Sequence, residues 1–485
     1  MSSKIKQMDD YRVIRTLPEL NNQSKQTFRQ GRLDNSEGFL TLTIGKANCR
    51  LLNWSRTGLG FEASYPDSFP VGLKVGPVKI HAGEIEVYNG DIEIKSVRKV
   101  NETLSIVGAE FKSRLFLVEG IEAALGVSRV SSELTSAHEQ MQEVNPEVCK
   151  LIIEMGSSLN RLKAFCDEQE RSLAQMTLDC RTEATNILLP SLSKEVKKLF
   201  GNYNRKLAAL LDIEQIPEDS TYHRLFEENI YPYFKSADLT RRAFEKPRGY
   251  AGDFEMMNAM YRNGYEGTDL IGKVLHNYTA NEDSSESVQY RKPYFISLIE
   301  ETMDHPGPKS FLSIACGPAI EVQELVNRWP QQKLDEARFT LFDLDRMALE
   351  HAQSKIFQNS INQNKTPNIS FVNASVKSFL THTTDAGSDF DLIYSGGLFD
   401  YLDNPTSKAL VHKFFALLKP KGRLVIGNFT KNNTTKAFCH LITRWHLIHK
   451  TPEEMHGWCE GLPAGKVRMD FDPHGINAFL VIHKG

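Results

Sequence analysis

The stretch FLSIACGPAIE, residues 311–321, decides the fold. Phe311 to Ala315 read as a short buried strand, Cys316-Gly317-Pro318 as a tight loop, and a helix begins near Ala319. A second strand, FTLF at 339–342, ends in an acid, Asp343. A strand, a small-residue loop and a second strand closed by an acid make the first half of a Rossmann-like unit. The loop lets a ligand approach the backbone, and the acid can accept hydrogen bonds from a pair of ribose hydroxyls. A pyrophosphate would demand bare amides at the helix N-terminus, hence Gly-x-Gly-x-x-Gly. Only Gly317 is glycine here; Ala315 and Ala319 stand where others would be, and no Lys-Ser/Thr follows. The expected ligand has ribose and adenine but no phosphate.

S-adenosyl-L-methionine has that composition. Downstream, FVNASVKSF at 371–379 reads as a third strand and loop. FDLIYSGGLFDYL at 390–402 reads as a fourth strand, buried on both faces, that opens into a Gly-rich loop. GRLVIGNF at 422–429 is a fifth, and KVRMDF, a DPHG turn and INAFLVIH form a closing β-hairpin. The fold class expected is α/β, a mainly parallel sheet with an antiparallel C-terminal hairpin.

This order of elements resembles class I S-adenosylmethionine-dependent methyltransferases over roughly residues 290–485. GYAGDFEMMNAMY at 249–261, GLFDYL at 397–402, GNF at 427–429 and WHLIHKTPEEM at 445–455 narrow it to a bacterial family. That family is the one associated with 3-hydroxypalmitic acid methyl ester biosynthesis. The resemblance implies a donor site of Ser313, Ala315, Cys316, Gly317, Asp343, Leu344, Asn373, Ala374, Ser375 and Ser395. Ser313 stands where the family usually has an acid, Asp343 matches the ribose-binding acid, and Asn373-Ala374-Ser375 fall where adenine is held. Cys316 reads as a small filler of the loop.

Methyl transfer is an in-line displacement, so positioning and a dry site supply most of the acceleration. A base matters only for an acceptor that must lose a proton. In AFEKPRGYAGDFEMMNAMY, Arg248, Tyr250 and Asp253 are catalytic candidates, on a glycine-framed loop shaped to close over the donor. Met256, Met257 and Met260 suit either an elongated apolar acceptor or simple packing on the sheet. Asp400 and Tyr401, after the fourth strand, leave the carboxyl end of the sheet, where ligands bind in open α/β folds; an N-cap role for Asp400 is the alternative. His276, Tyr290 and Arg291 are weaker candidates, and His474 reads as a solvated turn residue. No His/Asp/Glu cluster has metal-ligand spacing, so no metal is expected.

Three regions are expected: a β-rich one at 25–115, a helical one at 116–245 and the methyltransferase portion at 246–485. Short strands with polar breaks in the first suggest a small barrel or sandwich. Asn53-Trp-Ser55-Arg-Thr-Gly58 and the closing VGAEF resemble PilZ domains. That resemblance implies cyclic di-GMP binding through Arg29, Arg32, Asn53, Ser55 and Gly58, with the arginines on phosphate and guanine. In the middle, Val196, Leu199, Phe200, Tyr203, Leu207, Leu210 and Leu211 recur at helical steps between Pro190 and Pro217. The polar stretch 128–146 is the linker candidate.

The chain has 485 residues, 40% hydrophobic and 25% charged, with net charge −3. This fits a multidomain globular protein with no general attraction to nucleic acid. No apolar run is long enough to span a membrane, no signal peptide is evident, and the seven cysteines lack Cys-x-x-Cys spacing. A cytoplasmic location is expected, as is a small-molecule acceptor, with the helical middle available for a homodimer. The alternative reading is a cyclic di-GMP-responsive adaptor whose altered first loop no longer supports catalysis.

Overall fold

The computed structural model describes residues 33–34, 40–64, 68–82, 85–101, 103–113, 127, 130, 144–381 and 386–485. It divides into two compact units, residues 1–141 and 142–485. Most of the linker candidate 128–146 lies outside the described residues.

The first unit is a β-barrel. Its strands are β1 (Leu33–Asp34), β2 (Leu40–Ile44), β3 (Ala47–Trp54), β4 (Gly58–Ala63), β5 (Lys74–Ala82), β6 (Ile85–Lys99) and β7 (Ser105–Phe111). They pair in the order β1-β3-β2-β5-β6-β7-β4, and β3 also pairs with β4. That last pairing closes six antiparallel strands into a ring without a free edge. Alternate residues point inward, as in β7, where Ser105, Val107, Ala109 and Phe111 are buried. Leu42, Phe61, Val78, Ile80, Tyr88 and Ile92 complete the core.

The second unit is built on a seven-stranded sheet. Its strands are β8 (Lys309–Ile314), β9 (Ala337–Asp343), β10 (Asn368–Asn373), β11 (Phe390–Ser395), β12 (Leu418–Phe429), β13 (Ala464–Phe471) and β14 (Asn477–Lys484). The order is β10-β9-β8-β11-β12-β14-β13. The first five are parallel, and β14 runs antiparallel to β12 and β13. The central strands read as near-continuous apolar runs because both faces are covered. One face packs on the helices Asp283–Met303, Ile320–Arg328 and Arg346–Gln363, the other on Asn404–Ala416 and Pro452–Gly457. Each large apolar side chain fully buried here contributes about 1.5–3 kcal/mol. The chain reverses its direction of travel across the sheet between β8 and β11, so a crevice opens at their carboxyl ends.

Residues 146–245 are helical, and the boundary expected near 245 falls inside a shared core. Val148, Met155, Phe200 and Leu207 pack with Val274, Tyr278, Phe438 and Ile442. Val196, Phe200, Tyr203 and Leu207 face this core, whereas Leu199 and Leu210 face outward. Pro190 does not bound the helix, which runs unbroken from Leu178 to Leu210. Proline removes the bond to the Asn186 carbonyl, and both Asn186 and Pro190 are exposed, on the solvent side of the helix. No helix among the described residues is long and apolar enough to cross a membrane.

Candidate active site

The loop after β8 is tightly wound. Ala315, Gly317 and Ala319 all have left-handed backbones, with φ of 51°, 52° and 49°. That conformation costs an alanine about 1–2 kcal/mol, and glycine far less. The winding delivers the Gly317 amide to Asp343 Oδ2 at 2.8 Å, while the Asp345 amide donates to Asp343 Oδ1 at 2.8 Å. A Cβ built on Gly317 would meet no protein atom within 4 Å, so bare backbone borders open space beside this carboxylate. Asp343 is 8% exposed, and burial raises its pKa against the pull of the two amides.

Beneath the loop lies an acid that sequence reasoning missed. Glu321, in the first turn of the helix Ile320–Arg328, is buried and accepts from Tyr394 Oη at 2.8 Å and from Ser313. Ser313 is not an acid, but it bonds to one that comes from the next element. Burial raises the Glu321 pKa, and burial with the neighbouring Asp343 and Glu321 charges raises that of the Cys316 thiol. Cys316 is a thiol that fills space.

The segment 247–253 is pinned at both ends. Arg248 grips Asp345 through Nε at 2.7 Å and Nη2 at 2.5 Å, and its guanidinium lies 5.1 Å from the Phe254 ring centre. Asp345 is also the N-cap of Arg346–Gln363. Burial opposes ionisation of Asp345, but the Arg248 bond and the Met347 amide hold its pKa below the usual carboxylate value. Tyr250 Oη donates to Asp345 Oδ2 at 3.4 Å. Burial, reinforced by Asp343 and Asp345, raises the Tyr250 pKa, so the phenol stays a donor at neutral pH. At the other end Gly252 lies against the Tyr401–Trp445 pair, where Trp445 Nε1 donates to Tyr401 Oη at 2.7 Å.

Two carboxylates expected to do chemistry are fully engaged. Asp253 is buried, caps Phe254–Arg262 through the Glu255 and Met256 amides, and takes a bidentate bond from Arg242 at 2.9 and 2.7 Å. It shapes the loop. Asp400 is not an N-cap; Asp403 caps the next helix. Asp400 is buried, accepts from the Phe429 amide at 2.7 Å and pairs with Arg291 at 3.1 Å. Burial raises its pKa even beside Arg291, which also lies 4.9 Å from the Phe429 ring centre. Arg291 Nε and Ser395 Oγ are buried without hydrogen-bond partners.

Among the residues expected to hold the donor, Leu344 is 69% exposed directly after Asp343. Asn373 Nδ2 is occupied, donating to the Asp343 and Leu344 carbonyls at 3.0 and 2.9 Å. The Ala374 amide also donates to the Asp343 carbonyl, and Ser375 Oγ accepts from the Lys377 amide. These residues brace the turn that carries Asp343 and Leu344. Met256 and Met260 fill a core with Leu239, Val288 and Trp445. His276 is buried under the Leu239 amide, Tyr290 stacks near Tyr294, and His474 lies 3.1 Å from Glu286. None of these three joins the Asp343 cluster. A cavity of about 890 Å³ nearby is lined by charged residues including Arg241, Arg242, Glu245 and Glu255, but by neither Gly317 nor Asp343.

In the barrel, Asn53, Ser55 and Gly58 line one cavity of about 300 Å³ with Lys95 and Glu110. A Cβ on Gly58 would stand 2.5 Å from the Ala109 carbonyl oxygen, so β4–β7 pairing alone requires glycine there. Arg29 and Arg32 lie outside the described residues.

Residues 311–422 match the family model of a methyltransferase domain. The cofactor consistent with that match is S-adenosyl-L-methionine. No curated protein matches the chain. Among solved structures, a possible exported protein from Bordetella parapertussis is similar at 15% identity over 60% of this chain and 96% of its own, TM-score 0.40. The N-methyltransferase NodS from Bradyrhizobium japonicum, in complex with S-adenosyl-L-homocysteine, is similar at 15% over 42% and 89%, TM-score 0.30. Magnesium protoporphyrin IX methyltransferase from Synechocystis, with bound S-adenosyl-L-homocysteine, is similar at 12% over 51% and 100%, TM-score 0.35.

Proposed function

We propose that this protein is an S-adenosylmethionine-dependent methyltransferase whose acceptor is a small molecule with a carboxylate, in the manner of a fatty acid. The observation that carries the donor half is the Asp343 carboxylate, held by one amide on each oxygen. Each oxygen keeps a lone pair for a ribose hydroxyl. Gly317 offers bare backbone, Leu344 an apolar face for adenine, and Asn373, Ala374 and Ser375 support that turn. Ser313, Ala315, Cys316 and Ser395 form the floor, where the Glu321 carboxyl offers a hydrogen-bond acceptor for the donor's ammonium. When bound, the donor supplies an electrophilic methyl group on a sulfonium.

The acceptor half rests on the state of the acids. Asp253, Asp345, Asp400 and Glu321 are each committed to cations, amides or hydroxyls. Tyr250 donates to Asp345, Tyr401 accepts from Trp445, burial raises the pKa of both phenols, and Arg248 positions the loop that bears Tyr250. Such a site can orient an acceptor but has little to deprotonate it. A carboxylate needs no base, since its pKa lies near 4. With labelled donor, the full chain should form a base-labile, lipid-extractable methyl ester at a rate that stays flat from about pH 6 upward. Label in a base-stable amine would overturn the carboxylate reading and leave the donor reading intact.

For the barrel the proposal is a regulatory site for cyclic di-GMP. Asn53, Ser55 and Gly58 border one cavity of the size given above. Arg29→Ala should weaken messenger binding more than Ser55→Ala, because a charged phosphate contact outweighs a neutral hydroxyl. Absence of binding to the full chain at millimolar messenger would remove this role.

A further inference from the structure

Three histidines that are distant in the chain converge in the helical part of the second unit, away from Asp343. His223 lies on the helix Thr221–Asn229, His440 on the helix Lys436–Leu441, and His446 in the segment that follows. One ring nitrogen from each lies within 4.8 Å of the others. We propose that His223, His440 and His446 bind one divalent transition-metal ion of the zinc class, bracing the segment that carries Trp445.

The second coordination layer is already present. His440 Nε2 donates to the Ile216 carbonyl at 3.2 Å, which leaves the lone pair on Nδ1. That atom is 2.8 Å from His446 Nδ1. The proton in this contact therefore belongs to His446; a metal would take its place as that proton moves to His446 Nε2, which keeps the ring neutral. His223 Nδ1 is 3.0 Å from Ser220 Oγ, and its Nε2 is buried with no hydrogen bond. The His440 carbonyl is nearby but misaligned for one. A backbone or hydroxyl partner on the far ring nitrogen is how proteins orient metal-binding imidazoles. A zinc ion about 2.0–2.1 Å from three nitrogens sets them roughly 3.4 Å apart, within reach of small ring rotations. The neighbouring Arg444 charge is offset by its ion pair with Glu227.

Imidazole sets of this kind suit zinc, copper, nickel and cobalt. Three protein ligands leave a fourth position for water. The ion would tie the helix Thr221–Asn229 to residues 440–446, and His446 adjoins Trp445, whose indole holds Tyr401 beside Gly252. The role assigned to the ion is therefore structural, on the wall of the proposed acceptor site.

The test uses the full chain, stripped with a chelator and dialysed against Co²⁺ or Zn²⁺. One ion per chain is expected, with the intense visible absorption of tetrahedral Co²⁺ and a higher unfolding midpoint in Zn²⁺. His223→Gln and His446→Gln should each weaken binding by more than the about 10–100-fold that follows loss of a supporting group. His474→Gln, at the exposed member of the Asp283–Glu286–His474 group, should change nothing. If His223→Gln fails to fold, half-buried His446 carries the test. No uptake by the wild-type chain, or equal uptake by His446→Gln, would overturn the proposal. It stands apart from the methyltransfer reading, because metal uptake is measured without activity.

Discussion

Asp343 shows how one residue can be legible in sequence and gain its meaning from neighbours. An acid at the end of a second strand is a local signal, and the structure adds the two amides that set its lone pairs. Asp343→Ala should weaken S-adenosylmethionine binding by about 1.5–3 kcal/mol, the range for a hydrogen bond to a charged group. Calorimetry on folded mutant decides the matter, and unaltered affinity would mean that the ribose is held elsewhere. Asp253 and Asp400 were equally visible as acids, yet each is saturated by donors from another element: Arg242 for one, Arg291 and the Phe429 amide for the other. A carboxylate's chemistry depends on who occupies its lone pairs, and those partners lie 11 and 109 residues away for the two arginines.

At the scale of elements, the glycine-framed segment around Tyr250 is a strap between two strand ends. It reaches Asp345 after β9 through Arg248, and Tyr401 after β11 through Gly252. A Cβ at Gly252 would stand 2.5 Å from Tyr401 Oη and 3.2 Å from Trp445 Nε1. Gly252→Ala should therefore displace the Tyr401–Trp445 pair and destabilise the fold by about 1–3 kcal/mol, as overpacking does. Tryptophan fluorescence should report the displacement and the methyltransfer rate should fall. A folded variant with both unchanged would show that this wall does not shape the acceptor site. The same segment was read in sequence as a closing loop because glycines flank a tyrosine, but its anchors, Asp345 and Trp445, carried no signal of their own. The start of the helix through Pro190 was misplaced for a similar reason: proline marks a lost hydrogen bond, and only the surroundings of that turn decide whether the loss ends the helix.

At the scale of the whole molecule, Glu282 links pH to stability. It is a buried N-cap of Asp283–Met303 that accepts from the Ser284 and Ser285 amides, beside Asn433 and Thr435 of the segment after β12. Burial pushes its pKa up to about 7, against the hydrogen bonds from Thr435, Ser284 and Ser285. An unfolded glutamate titrates near 4.3. Between those values the folded chain holds the proton and the unfolded chain does not, so this group's contribution falls as pH rises from about 4.3 to about 7 and is constant beyond. Glu282→Gln, neutral throughout, should flatten that part of the stability profile and match or exceed the wild type at pH 8. Urea midpoints from pH 5 to 8 check this; an unchanged slope in the variant would show that Glu282 is already ionised in the folded chain across that range.

By itself, the sequence determined the elements and their order. Buried parallel strands must be apolar on both faces, a tight turn needs small residues, and a hairpin needs its turn, so FLSIACGPAIE, FDLIYSGGL and the C-terminal INAFLVIH each carry their structure locally. What tertiary structure decided is pairing across the chain. Glu321 beneath Ser313, Arg248 on Asp345, Trp445 on Tyr401 and His223 beside His440 and His446 join residues between 8 and 223 positions apart. Helical or strand periodicity constrains neighbours within an element, whereas hydrogen bonds, ion pairs and imidazole clusters depend on distances that exist only once the sheet and its helices have packed.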